Sequence, residues 1–122
     1  MCIRDRVDII ERHHDKKAEA PSGTAIKTAE MIALAQKKQA EKAECTELMR
    51  GARGATLDNI GIHSIRLSGS LAHQEVLFGG SGETLTIKHD SMDRTCFMPG
   101  ILLACEKVCA VNQLYYGLEH FL

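Results

Sequence analysis

The chain has 122 residues, enough for one domain with a real core and too few for two full domains. A hydrophobic content of 44% indicates a globular protein, and 15 basic against 16 acidic residues leave no cationic excess to neutralise a phosphate backbone, so no nucleic-acid partner is expected. No apolar run approaches the roughly 20 residues of a membrane span, so no membrane partner is expected either.

The first six residues, MCIRDR, share no periodicity with their neighbours downstream and read as a non-native scar. The chain then enters a short β-rich run, VDIIE (7–11), as if beginning in the middle of a strand, which suggests a fragment. Residues 12–21 are polar, end in Pro21 and predict a loop. From Ser22, a good N-cap, the apolar residues Ala25, Ile26, Ala29, Ile32 and Ala33 recur at helical spacing; the helix then fades into the solvated QKKQAEKAE. RGARG (50–54) is a loop. Three β-rich runs come next, near 60–67, 72–78 and 83–89, separated by Gly69 and by the cluster Gly79-Gly80-Ser81-Gly82; the last two runs predict an antiparallel hairpin. A final apolar helix over about 97–110 and a short apolar tail complete the chain. The order predicts an α+β fold: about four strands in one mixed or antiparallel sheet packed by helices, with one sheet face left over, which points to an oligomer formed through the sheet. The apolar residues of the last helix, Phe97, Ile101, Leu102, Leu103, Val108 and Val111, are spread around its circumference, so a patch is expected to stay uncovered.

The chemistry concentrates in HHDKKAEAPSGTA (13–25). A helix start presents unbonded N–H groups and partial positive charge, a ready anion site. Ser22, Gly23 and Thr24 stand there; Gly23 lets a ligand approach the backbone and Thr24 adds a hydroxyl donor. His13, His14 and Lys17 on the preceding loop add imidazole and ammonium groups, which would suit a carboxylate substrate that must take up a proton. Each feature alone has an ordinary structural reading: a capped helix, a surface histidine, a solvated pair of lysines. Their clustering within thirteen residues is what points to a site.

The pattern E-x-H-H-x-x-K-x-[acid]-A-P-S-G-T-A, formed here by Glu11, His13, His14, Lys17, Glu19, Ala20, Pro21, Ser22, Gly23, Thr24 and Ala25, resembles the signature of the 4-hydroxy-tetrahydrodipicolinate (dihydrodipicolinate) reductases. GIHSIRLSG, AHQEVLFG and ETLTIKHDSMDRTCFMPGILLA extend the likeness over residues 7–122, the later segments looking most like the cyanobacterial and plant branch. One departure stands out: the family usually has Asp where this chain has Glu19, a longer arm with the same charge.

The resemblance implies a C-terminal fragment of an NADPH- or NADH-dependent reductase of the diaminopimelate route to lysine, cytoplasmic, or in the plastid stroma if from a plant. Residues 7–96 would form the domain that binds a cyclic dicarboxylate and builds a homotetramer. Residues 97–122 would pack on an N-terminal nucleotide domain. It further implies His13 and Lys17 as catalytic residues, and His14, Lys17, Gly23 and Thr24 as holders of the substrate carboxylates. Ser22 and Arg94 are further candidates, Arg94 for a second carboxylate or the cofactor side. The chain contains no G-x-G-x-x-G, so no cofactor is expected on it, and alone it is expected to be inactive. No metal is expected. The alternative is a non-catalytic dicarboxylate-binding oligomerisation module, or a purely structural oligomerisation domain.

Structural roles are expected for His63, His73 and His89, and sheet-edge or hairpin positions for Glu75 and Glu83. No individual role is assigned to Arg50 or Arg53. The five cysteines, Cys2, Cys45, Cys96, Cys105 and Cys109, read as reduced cytosolic thiols, the last three as small buried hydrophobes.

Overall fold

Alternating apolar residues in RVDIIERH make an extended segment with one buried face, and the rest of the fold is arranged around it. The computed structural model describes residues 6–36 and 46–122. The polar stretch 37–44, Cys2 and Cys45 lie outside them. The first strand, β1, is Arg6–His13, beginning at Arg6 and running two residues past VDIIE. Helix α1 is Gly23–Ala35; its N-cap Ser22 accepts through Oγ from the Ala25 N–H at 3.2 Å, as the capping residue type required. After it come β2 (Ala55–Leu57), β3 (Ile60–Arg66), β4 (Ala72–Gly80) and β5 (Glu83–Ser91).

The strands form one sheet in the order β2-β3-β1-β4-β5. β1 runs parallel to β3 and antiparallel to β4, so the sheet is mixed and the fold is α+β as expected. It has five strands against an expectation of about four. The additional one, β2, is three residues long and too short to show alternation, and it pairs antiparallel with β3. The turn between them, not anticipated from the sequence, has Asp58 and Asn59 both at positive φ, 47° and 67°, as a two-residue type I′ hairpin turn demands.

Period two places Val7, Ile9 and Glu11 on one face of β1. Their partners on β3 and β4 continue that face: Ile62 and Val76 beside Ile9, and Phe78 beside Val7. Ala25 and Ala29 of α1 close over it, making a core of Val7, Ile9, Ala25, Ala29, Ile60, Ile62 and Val76. Small alanines let the helix approach the sheet closely. Glu75 takes the hairpin position rather than the edge one: β4 is an interior strand paired with β5, and Glu75 sits opposite Ile10 of β1. Glu83 does open the strand after the Ser81-Gly82 turn. His63 and His73 have structural partners, Asp8 at 3.0 Å and Asp90 at 2.7 Å.

Two compact units divide the chain, one ending at Asp90 and one spanning Ser91–Leu122. The second begins with a short 3-10 helix, Arg94–Phe97, capped by Asp93, whose Oδ1 accepts from the Thr95 N–H at 2.8 Å. Helix α2 is Met98–Val108, shorter than 97–110 because Phe97 belongs to the 3-10 helix and residues 109–110 form a turn. A second 3-10 helix, Leu118–Phe121, packs its aromatic residues on Tyr115. Phe97, Ile101, Leu102 and Val108 are exposed. So are Cys96, Cys105 and Cys109, against the expectation of burial. No residue of α2 or of the 3-10 helix before it is buried, so their apolar content gives Cys96, Cys105 and the C-cap Cys109 no interior to enter. No described helix is long and apolar enough to cross a membrane.

Candidate functional site

β1 carries its buried face from hydrocarbon into charge. After Val7 and Ile9 the next inward residue is Glu11, fully buried, and then comes His13 at the strand end. The parallel register with β3 sets Ser64 beside Glu11 and Arg66 beside His13, on the same face. The Arg66 guanidinium donates a two-pronged bond to Glu11, Nη1 to Oε2 and Nη2 to Oε1, each 2.9 Å. This fork is the geometry that most stabilises a buried carboxylate. His13 Nδ1 lies 2.5 Å from Oε2, and the Ser22 N–H donates to Oε1 at 3.2 Å.

One carboxylate therefore joins a strand end, a neighbouring strand and the start of α1. Arg66 also ties down the intervening loop: Nε donates to the Lys17 carbonyl at 3.3 Å and Nη2 to the Glu19 carbonyl at 2.5 Å. The Lys17 N–H closes a turn onto the His14 carbonyl at 3.2 Å. The Ala20–Pro21 peptide that leads into the N-cap is cis.

Four N–H groups at a helix start lack intrahelical partners. Here Ser22 gives its own to Glu11 and Ala25 gives its own to the Ser22 hydroxyl, which leaves those of Gly23 and Thr24. Both residues are exposed, and a Cβ at Gly23 would meet no atom within 4 Å, so the space beside this helix end is open. The Lys17 ammonium is 3.5 Å from Glu19 Oε2, so the longer Glu19 arm reaches the lysine. Glu19's carboxyl is held below its ordinary range, first by its own backbone N–H and then by Lys17.

The structure thus gathers His13, Lys17, Ser22, Gly23 and Thr24 around one strand end, with His14 half-buried beside them. Arg94 belongs to the second unit. Sequence reasoning missed Arg66 altogether and treated Glu11 only as part of a signature. A signal was present: period two puts both charges on the inward faces of their strands, where each requires an opposite partner.

Burial pushes the Glu11 carboxyl up, but hydrogen bonds from Arg66, Ser64 and His13, with the Arg66 charge, outweigh it and leave the group below its ordinary value. A carboxyl lowered on folding contributes stability that is present above its unfolded pKa and lost as pH falls through the folded one. The unfolding free energy in urea is therefore expected to decline as pH drops below about 4.5. Glu11→Gln should have a shallower acid slope, by up to ~1.4 kcal/mol per pH unit. Equal slopes in the two proteins would show that Glu11 contributes nothing to acid unfolding.

The model of the family "Dihydrodipicolinate reductase, C-terminus" matches residues 3–122. The 4-hydroxy-tetrahydrodipicolinate reductase of Legionella pneumophila strain Philadelphia 1 is 63% identical over 116 residues, covering 95% of this chain and 48% of that protein. The reductase of Shouchella clausii is 58% identical over 118 residues, covering 95% of this chain and 44% of that one. Among solved structures, dipicolinate-bound dihydrodipicolinate reductase from Paenisporosarcina sp. TG-14 superposes with a TM-score of 0.84 at 46% identity, covering 99% of this chain and 46% of that one. The chain spans about half the length of these relatives. With a family model matching residues 3–122, nearly the whole of it, the chain belongs to the dihydrodipicolinate reductase C-terminal family.

Proposed function

We propose that this chain is the substrate-binding part of a 4-hydroxy-tetrahydrodipicolinate reductase, acting on a cyclic dicarboxylate in lysine and diaminopimelate biosynthesis. The observation that carries the reading is that the His13 imidazole and the Ser22 N–H share one carboxylate, at 2.5 and 3.2 Å. That sharing holds a proton donor next to an anion-binding helix start, the pairing a dicarboxylate needs if one of its ring atoms is to be protonated. Relatives named for this reductase, and a structural neighbour described as dipicolinate-bound, support the substrate class.

In this reading His13 acts as general acid through Nε2, the nitrogen Glu11 does not engage. Lys17 is its catalytic partner and places positive charge against a carboxylate. Gly23 and Thr24 offer N–H groups to that anion, with His14 beside them and Ser22 as a further binding candidate. The described residues do not fit a dinucleotide: the glycine cluster at 79–82 joins β4 to β5, strand to strand, rather than feeding a helix start. The NADPH or NADH that supplies the hydride would bind outside this chain, in a nucleotide domain against which residues 97–122 pack. The chain alone would then be inactive. A homotetramer built through the sheet, within the cytoplasm, completes the proposal; the fully outward exposure of β5 from Glu83 to Asp90 supports such covering of the sheet.

Titrating the chain with pyridine-2,6-dicarboxylate and following amide shifts by NMR tests the site. The Gly23 and Thr24 amides are expected to move first. Shifts confined to Gly79–Gly82 would place the site elsewhere, and turnover of NADPH by the 122-residue chain alone would overturn the division of labour.

A further inference from the structure

We propose that Glu11 is a positioning residue that sets the hydrogen placement of His13 and, with the same carboxylate, the seat of the anion-binding helix start. This role rests on the proposed function and deepens it.

Donors and acceptors around the carboxylate decide the hydrogen placement. Arg66 is always charged and has only donors to offer, and so does a backbone N–H. Against Oε1 stand the Ser22 N–H at 3.2 Å and Arg66 Nη2 at 2.9 Å; against Oε2 stand Arg66 Nη1 at 2.9 Å and His13 Nδ1 at 2.5 Å. Glu11 is fully buried, so no water competes for these places. With Arg66 and the Ser22 N–H as obligate donors on both oxygens, the carboxylate stays ionised and accepts everywhere, from the Ser64 hydroxyl as well. His13 must then carry a hydrogen on Nδ1, and Nε2 becomes the nitrogen that exchanges a proton with a reactant. Arg66 acts through Glu11: its fork fills both oxygens from one side and leaves the other side to His13 and Ser22.

Glutamine at this position cannot do both jobs. Its amide has one oxygen and one NH2 group. If the NH2 takes the place of Oε2, it faces the Arg66 donor and His13 Nδ1, which favours moving the imidazole hydrogen to Nε2. If it takes the place of Oε1, it faces the Ser22 N–H and loosens the helix start. A residue that merely satisfied a buried arginine would have no such effect on His13.

The test is a double-mutant cycle in the full-length reductase, with Glu11→Gln, His13→Ala and the pair. Glu11→Gln is expected to lower kcat by roughly 10–10²-fold, below the full contribution of the acid itself. It should lower kcat no further when His13 is already alanine, because it acts through the imidazole. Inhibition by pyridine-2,6-dicarboxylate should weaken several-fold in both backgrounds, reporting the helix start. An equal loss of kcat in both backgrounds would make Glu11 a structural residue only and overturn the inference alone. If His13→Ala kept more than half of the activity, the proposed function would fall and this inference with it. Should Glu11→Gln not fold, nitrogen-15 histidine spectra of the unsubstituted protein decide: neutral His13 bearing its hydrogen on Nδ1 supports the proposal, and a hydrogen on Nε2 overturns it.

Discussion

Replacing His13 by alanine or glutamine in the full-length reductase is expected to lower kcat by about 10²–10⁴-fold, the usual contribution of a positioned proton donor. Substrate binding should suffer less. The N–H groups of Gly23 and Thr24, proposed to hold the anion, belong to α1, and that helix start is capped by Ser22 and fixed through Ser22 N–H to Glu11, neither of which needs the imidazole. Steady-state kinetics with freshly made substrate would show the split: a large fall in kcat with a small change in KM. Lys17→Ala should damage both parameters, because its ammonium is assigned to the carboxylate as well as to the reaction. A His13 variant with more than half the original turnover would remove the acid role.

The largest stability effect is expected at Arg66. Arg66→Met removes both prongs from Glu11 and leaves a fully buried carboxylate with its main counter-charge gone. Breaking a buried pair from one side typically costs about 3–5 kcal/mol, far more than the pair contributes net, because the remaining charge is stranded in a poorly solvating medium. The same substitution frees the carbonyls of Lys17 and Glu19 from the guanidinium, so the loop bearing Lys17 loses its anchor. Arg66→Lys should recover only part of the loss: an ammonium is a point donor and cannot reproduce a two-pronged bond. Urea unfolding of the chain measures this directly. The double variant Glu11→Gln with Arg66→Met should be less damaged than Arg66→Met alone, since the stranded charge is gone. A loss below about 1 kcal/mol for Arg66→Met would mean that Glu11 is neutralised or solvated some other way.

The two sets of residues behind these predictions were unequally visible in the sequence. His13, Lys17, Ser22, Gly23 and Thr24 lie within twelve consecutive positions, and a helix cap and loop are local structures whose residue preferences act over three or four neighbours. The capping bond from Ala25 to Ser22 follows from residue type alone. The strand β2, only three residues long, gave too little alternation to read. The exposed cysteines show the reverse failure. Composition favours burial of a thiol, but burial is decided by what packs against α2, and residue type carries no such information.

By itself the sequence determined the class of fold, the capped helix start and the family, because periodicity, capping and a contiguous motif are all written in neighbouring residues. Only the tertiary structure decided how the site is held together. Glu11 and Arg66 are 55 positions apart, and they meet because β1 and β3 lie side by side in parallel with Glu11 opposite Ser64 and Arg66 opposite His13. Slipping β1 by one residue against β3 would turn Glu11 to the opposite face of the sheet from Arg66. The register is fixed by the burial of Val7, Ile9, Ile60 and Ile62 beneath α1, so the geometry around His13 is set by hydrophobic packing at the other end of the same strands.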